Sequence, residues 1–592
     1  MNDRRDGMGA IPFEGGTAFR VWAPHAEAVH VRGDFNEWYG DATPLESEGN
    51  GYWYAESPDA RAGHEYLYAI THAGNTFDRI DPYARQVTSS VGNAVVYDDA
   101  AFDWEGDAFV IPPHNELVIY ELHVGSFVAE SPDQPGRFDL VQERLDHLVA
   151  LGVNAIQIMP VAEFAGDRSW GYNPAHIFAV ETAYGGPDAF KRLVKTAHYM
   201  GLAVILDVVY NHFGPSDLDL WCFDGWSENG KGGIYFYNDH RSATPWGDTR
   251  PDYGREEVRR FIRDNALMWL RQHHVDGLRY DMTPYIRSVG GIGLDLPDGW
   301  DLMRWVNTSV RDEFPGRITI AEDMQRDPRV SQVGDDGAAF HAQWDGAFVH
   351  PVREAVTAMD DLHRSLDEVI EAVTTRYNDD AFQRVIYTES HDEVANGRAR
   401  VPEEVNPVDS QGWHAQKQST LGAALMFASP GIPMMFQGQE FLQDGYFRDD
   451  VPLEWHRAES FGGIVQMYRD LVHLRRNAGG DTRGLTGQHV AVLHANHDDN
   501  MLVLHRWADG GPGDDVLIVA NLSHREHRGY RIGVPAEGHW PLAFNSDADV
   551  YNPDFSGIPA ADLHADADGH DGQPAGATLD IGPYAALFFR RA

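Results

Sequence analysis

Four short segments carry acids and bases at the ends of apolar runs. They are Asp207-Val-Val-Tyr-Asn-His212, Asp276-Gly-Leu-Arg-Tyr-Asp281, Ala321-Glu322-Asp323 and Glu389-Ser-His-Asp392. Carboxyl pairs of this kind suit cleavage of a glycosidic bond with retention of configuration. That chemistry needs two carboxyl groups about 5 Å apart, one to attack the anomeric carbon and one to move a proton to the leaving oxygen and from the acceptor. Asp281 and Glu322 are the expected pair. Arg279 stands two residues before Asp281, on the same face of a strand, where it would keep Asp281 ionised. Glu322 has to rest protonated and is expected to be the less solvated of the two, while Asp323 points to the other face. Asp392 can grip sugar hydroxyls, and His212 and His391 are expected to donate hydrogen bonds that tighten as oxocarbenium charge develops. Any one of these residues alone would be an ordinary surface or capping group. All of them at predicted strand ends, in one chain order, point to a site.

Aromatic residues fit a sugar ligand, because a ring presents an apolar face to the C–H face of a pyranose. Tyr172, in Trp170-Gly-Tyr-Asn173, is the expected stacking residue, and Trp221, Trp226, Tyr235 and Tyr237 are further candidates. Trp22 and Trp38 could form a secondary sugar platform near the N-terminus, although alternation favours a core position for Trp22.

The elements that would position these groups follow from the pattern. Runs at Leu117 to Glu121, Ala155 to Met159, Ala203 to Asp207, Gly277 to Asp281, Ile318 to Glu322, Gly346 to Phe348, Val385 to Thr388 and Pro433 to Phe436 read as eight strands. Helical patterns lie between most of them, for example Pro187 to Met200, Glu256 to His273 and His414 to Phe427. The fold class is therefore α/β, a (β/α)₈ barrel whose polar groups converge at the C-terminal ends of the strands. Residues 213–251, rich in Gly, Asn, Trp and Tyr without helical period, read as a long loop after the third strand. Short alternating strands precede and follow the barrel. The expected domains are 1–108, a β-sandwich; 109–480, the barrel; and 481–592, an antiparallel β domain. The His- and Asp-rich stretch 563–571 reads as an exposed loop.

Bulk properties narrow the partners. The chain of 592 residues has a formal net charge of −44, and Lys191, Lys195, Lys231 and Lys417 are its only lysines. Such a surface repels phosphate and anionic lipid, so neither nucleic acid nor a membrane is an expected partner. It fits adaptation to high salt and equally an acidic protein whose cations are mostly arginine. Cys222 is the only cysteine, which excludes an intrachain disulfide and a cysteine-based metal site. The N-terminal residues lack an apolar leader and no run is long enough to span a bilayer, so the expected location is the cytoplasm.

At these residues the chain resembles the α-amylase superfamily, glycoside hydrolase family 13, over nearly its whole length. The resemblance implies a retaining mechanism on α-1,4-glucosidic bonds, with Asp281 as nucleophile, Glu322 as acid/base and Asp392 as transition-state stabiliser. It implies that Tyr172, Asp207, His212, Arg279 and His391 bind the glucose unit being cleaved. Phe19-Arg-Val-Trp-Ala-Pro24 and Gly33-Asp-Phe-Asn-Glu-Trp38 resemble the module that precedes branching enzymes, isoamylases and trehalose-releasing hydrolases. Tyr120-Glu-Leu-His-Val-Gly-Ser126, Ser390-His-Asp-Glu-Val394, Gly438-Gln-Glu-Phe441 and Leu453-Glu-Trp455 are similar to glycogen branching enzymes. Asp207 to His212 is closer to amylases, debranching enzymes and maltooligosyltrehalose trehalohydrolase. Transfer to a glucan 6-hydroxyl is the expected outcome, with hydrolysis the alternative. A non-catalytic glucan-binding protein on this fold would have lost a carboxylate, and all three are present. Many relatives hold a calcium ion near the third-strand loop; Asn173, Asp217, Asp219 and Asp224 show no recognisable ligand spacing, so no cofactor or metal is expected. The oligomeric state is left open.

Overall fold

Eight short apolar runs pair in parallel and close on themselves. They are β1 (Ile119–Leu122), β2 (Ala155–Ile158), β3 (Ala203–Val208), β4 (Gly277–Tyr280), β5 (Ile318–Ala321), β6 (Ala342–Trp344), β7 (Arg384–Ile386) and β8 (Ile432–Phe436). Each pairs with the next, and β8 pairs with β1 to complete the barrel. Their residues are almost all buried, as expected when side chains of one strand fill the barrel and those of its other face lie under helices. The computed structural model describes residues 4–39, 41, 43–131 and 133–592. The expectation about an N-terminal leader rests partly on Met1 to Asp3, which lie outside them. Among the described residues no helix is long and apolar enough to cross a membrane.

Outside the barrel run α1 (Gly186–Tyr199), α2 (Glu256–Gln272), α3 (Pro297–Glu313), α4 (Gly346–Thr357), α5 (Trp413–Ala428) and α6 (Gly462–Arg475). α5 is buried nearly all round because it also touches the C-terminal β domain. Lys417 on α5 reaches Asp547 of that domain at 2.5 Å, and both side chains are out of solvent. The C-terminal domain is built on a five-stranded antiparallel sheet. The N-terminal module has two antiparallel four-stranded sheets, with Gly16–Trp22 central to one and Glu65–His72 to the other.

Two expectations about elements need correction. The sixth strand is Ala342–Trp344, and Gly346 to Phe348 instead opens α4. The Asp345 carboxylate accepts from Ala347 N at 3.0 Å, an N-cap that turns the chain out of the strand, and the apolar run after it belongs to the helix's buried face. In the C-terminal stretch, Leu563–Ala565 is not loop but forms a strand against Gly538–Trp540, with Leu563 and Ala565 buried and His564 exposed.

The long loop also behaves differently from its sequence reading. Tyr235 and Tyr237 are buried in the core. Trp22 of the module meets Tyr235 edge to face, and His25 stacks on Trp226 at 4.5 Å. Asp224 accepts from the backbone N and Nδ1 of His25, both at 2.9 Å, and Asp219 accepts from Ile80 N at 2.7 Å. Arg79 donates to the carbonyls of Cys222 and Phe223. This part of the loop packs against the N-terminal module, and two of its carboxylates are committed to that contact.

Candidate active site

β4 and β5 pair in the register Arg279 with Ile320 and Tyr280 with Ala321. The next residue of each strand is therefore Asp281 and Glu322, side by side on neighbours about 4.8 Å apart. Two contacts lock this arrangement. Met282 N donates to the Glu322 carboxylate at 2.7 Å, and Arg279 reaches both acids, through Nη1 to Asp281 at 3.3 Å and through Nη2 to Glu322 at 2.9 Å. One guanidinium thus spans the expected pair. It also donates to Asp207, at the end of β3, at 2.7 Å. Asp323 faces away, as alternation requires, and is held by Arg287 and Thr283.

The expected difference in solvation between the two acids is absent, since Asp281 and Glu322 are each 5% exposed. Their electrical surroundings differ instead. Burial drives Glu322 well above the ordinary carboxylate range, and Asp281 and Asp392 add to this against the opposing Arg279. Asp281 receives Asn211 Nδ2 on its carboxylate at 2.6 Å and on its carbonyl at 2.8 Å, in addition to Arg279. Asn211 and Arg279 thus occupy the two different oxygens of the Asp281 carboxyl group.

The remaining expected residues join the same network. Tyr172 donates its hydroxyl to Asp207 at 2.6 Å and lies nearly parallel to the His391 ring at 5.2 Å. His212 donates Nε2–H to the Tyr172 carbonyl at 2.8 Å, and its Nδ1 meets the Asn211 side chain. Burial lowers its pKa, against the opposing pull of Asp281 and the Tyr172 carbonyl. His391 places Nε2 3.3 Å from Asp392, whose side chain keeps 39% of its surface exposed. Its Nδ1 donates to Glu121 at 2.7 Å, and its backbone N donates to the other oxygen of the same carboxylate at 3.1 Å. Burial alone would lower the His391 pKa, but Asp392 and Glu121 together raise it well above the ordinary imidazole value. Burial likewise raises Asp392, and His391 more than offsets it, leaving the carboxyl below its ordinary range. Both histidines were expected to offer free donors, yet every ring nitrogen has a protein partner. They hold Tyr172 and Asp392 in place.

Sequence reasoning missed four residues here. Glu121 is a buried carboxylate in an otherwise apolar strand, and that isolation was the signal that could have found it. Asn211 lies inside a segment singled out for Asp207 and His212. Trp344 stacks under the Arg279 guanidinium at 4.1 Å. Trp246 stacks on His212 at 4.5 Å, and nothing in the loop sequence distinguished it from its aromatic neighbours. Among the described residues no group of three or more His, Cys, Asp or Glu side chains is arranged to hold a metal ion.

With this geometry in hand, likeness to known proteins becomes informative. Residues 121–218 and 224–463 match the family described as alpha amylase, catalytic domain. Residues 7–84 match carbohydrate-binding module 48, the isoamylase N-terminal domain, and residues 492–592 match the alpha amylase C-terminal all-beta domain. The chain is similar to the 1,4-alpha-glucan branching enzyme GlgB of Salinibacter ruber, 31% identical with 98% of this chain and 95% of the relative covered. It is 30% identical to GlgB of Corynebacterium jeikeium, with 98% and 83% covered. The pullulanase of Anoxybacillus sp. LM18-11, solved with maltotetraose, shares the fold at a TM-score of 0.76 and 20% identity, covering 100% of this chain and 88% of that one. Because the catalytic-domain match takes in more than half of the chain, around the very strand ends that gather the carboxyl groups, the protein belongs to the α-amylase family, glycoside hydrolase family 13.

Proposed function

We infer that the protein is a retaining 1,4-α-glucan branching enzyme. Asp281 attacks the anomeric carbon of the glucose unit held among Tyr172, Asp207 and Arg279, with His391 behind Tyr172 and Asp392, and the C1–O4 bond breaks as a glycosyl ester forms. Glu322, protonated beforehand, gives its proton to the departing O4. A glucan 6-hydroxyl then loses its proton to Glu322 and attacks C1, which releases Asp281 and closes an α-1,6 bond. Asp392, outside the acid pair and more exposed, grips hydroxyls of the distorted ring through its His391-held carboxylate. Arg279 keeps positive charge beside both reacting acids throughout.

The observation that carries the retaining chemistry is the single guanidinium bridging Asp281 and Glu322 at register-matched ends of β4 and β5. Transfer rather than hydrolysis is supported by full-length similarity to branching enzymes. Hydrolysis is the second reading, favoured by Asn211 standing on Asp281 within an amylase-like segment. Incubation with amylose separates them. Branching shifts the iodine spectrum with no rise in reducing ends, and a parallel rise in reducing ends assigns the enzyme to hydrolysis. D281N is expected to lose activity by roughly 10³-fold or more, because removal of a nucleophile leaves only binding and polarisation.

A further inference from the structure

We propose that Trp246 is a glucan-binding platform for the glucose unit adjoining the one held at Tyr172. The indole keeps 44% of its surface in solvent, although it lies parallel, within 11°, on the buried His212 ring at 4.5 Å. Tyr285, four residues beyond Asp281, stands across it at 5.3 Å and 78°. Trp246 is thus one ring removed from Tyr172, to whose carbonyl His212 is bonded, and it lies at the edge of the acid cluster.

Its presentation is built rather than incidental. The turn from Thr244 to Gly247 is closed by backbone bonds of 2.8 and 3.2 Å, and Trp246 N donates to Thr244 Oγ1. Pro245 fixes the turn at its second position. At its base the buried Arg250 donates to the carbonyls of Ala243, Val289 and Ser288, and so ties the turn to the segment that follows the β4 acid. Tyr235 and Tyr237, from the same loop, are sequestered in the core, which leaves Trp246 as a loop aromatic with free surface at the site. An indole ordered in advance offers a flat apolar face to the C–H side of a pyranose at little entropic cost.

This inference rests on the α-glucan reading, and the test separates the two. Binding is measured by calorimetry on D281N, which holds ligand without turnover, and on D281N carrying W246A or W246F. The ligands are maltoheptaose and 1-deoxynojirimycin, which fills the space of one glucose. The expected result is that W246A weakens maltoheptaose roughly 3- to 10-fold, as loss of one aromatic contact implies. W246F should keep most of the affinity, and deoxynojirimycin should bind equally to all three. Equal maltoheptaose affinity with and without the indole overturns the proposal. So does equal weakening of both ligands, which would make Trp246 a mere support for His212. If D281N itself binds no maltoheptaose, the glucan reading falls and takes this platform with it.

Discussion

Glu121 shows how one buried charge sets the state of a site residue. Its carboxylate takes both the ring and the backbone N–H of His391. Replacing it by Gln keeps the shape and removes one of two groups that raise the histidine's pKa against burial. The sign follows from linkage. A raised imidazole contributes stability fully present below its unfolded pKa and lost as pH rises through the folded one. E121Q lowers that upper edge, so its alkaline limb of kcat/KM should move to lower pH, and its stability should fall away sooner above neutrality. Activity should drop roughly 10- to 100-fold, the worth of a charged hydrogen bond. An unchanged pH profile would mean that His391 is held by Asp392 alone. Glu322 calls for a second residue-scale experiment. E322Q should spare the first turnover of α-maltosyl fluoride far more than cleavage of amylose, because fluoride departs without a proton. Equal losses on the two substrates would remove Glu322 from the acid role. The acids and Arg279 were legible because each ends an apolar run. Asn211 and Glu121 were not, because their partners lie far away in the chain.

At the scale of elements, Asp345 decides where β6 stops and α4 starts. It caps the helix at Ala347 N, accepts from Tyr377 Oη at 2.8 Å and pairs with the fully buried Arg384 at the start of β7. D345A removes the cap and leaves a buried guanidinium without its counter-charge. A loss of about 3–5 kcal/mol is expected, read as a lower urea midpoint. A loss under about 1 kcal/mol would show that the carbonyls of Ala372 and Thr375 satisfy Arg384 unaided. The sequence pattern misplaced this strand because a three-residue strand and the first turn of an apolar helix look alike within a window of a few residues.

For the whole molecule, a formal net charge of −44 dominates. Many acids are paired with arginine, yet the excess repels itself across the surface. Raising salt shortens the Debye length from about 10 Å at 0.1 M to about 3 Å at 1 M, which screens that repulsion. The unfolding midpoint should therefore climb with sodium chloride over this range. A flat or falling midpoint would show that the pairs outweigh the excess. The same scale explains the long loop. Its aromatics were further candidates for a sugar, but the N-terminal module, through His25 and Arg79, contacts Phe223, Asp224 and Trp226 in its first half.

The sequence by itself determined the barrel, the family and which acids stand at the strand ends, because those signals are local: an apolar run, then a charged or polar residue, repeated in order. Only the tertiary structure decided which aromatics meet the site and which groups surround its histidines. Those outcomes depend on groups far apart in the chain, as with His25 and Asp224, 199 positions apart, or Glu121 and His391, 270 apart. Burial and pairing across such separations exist only once the barrel has closed and the module has docked.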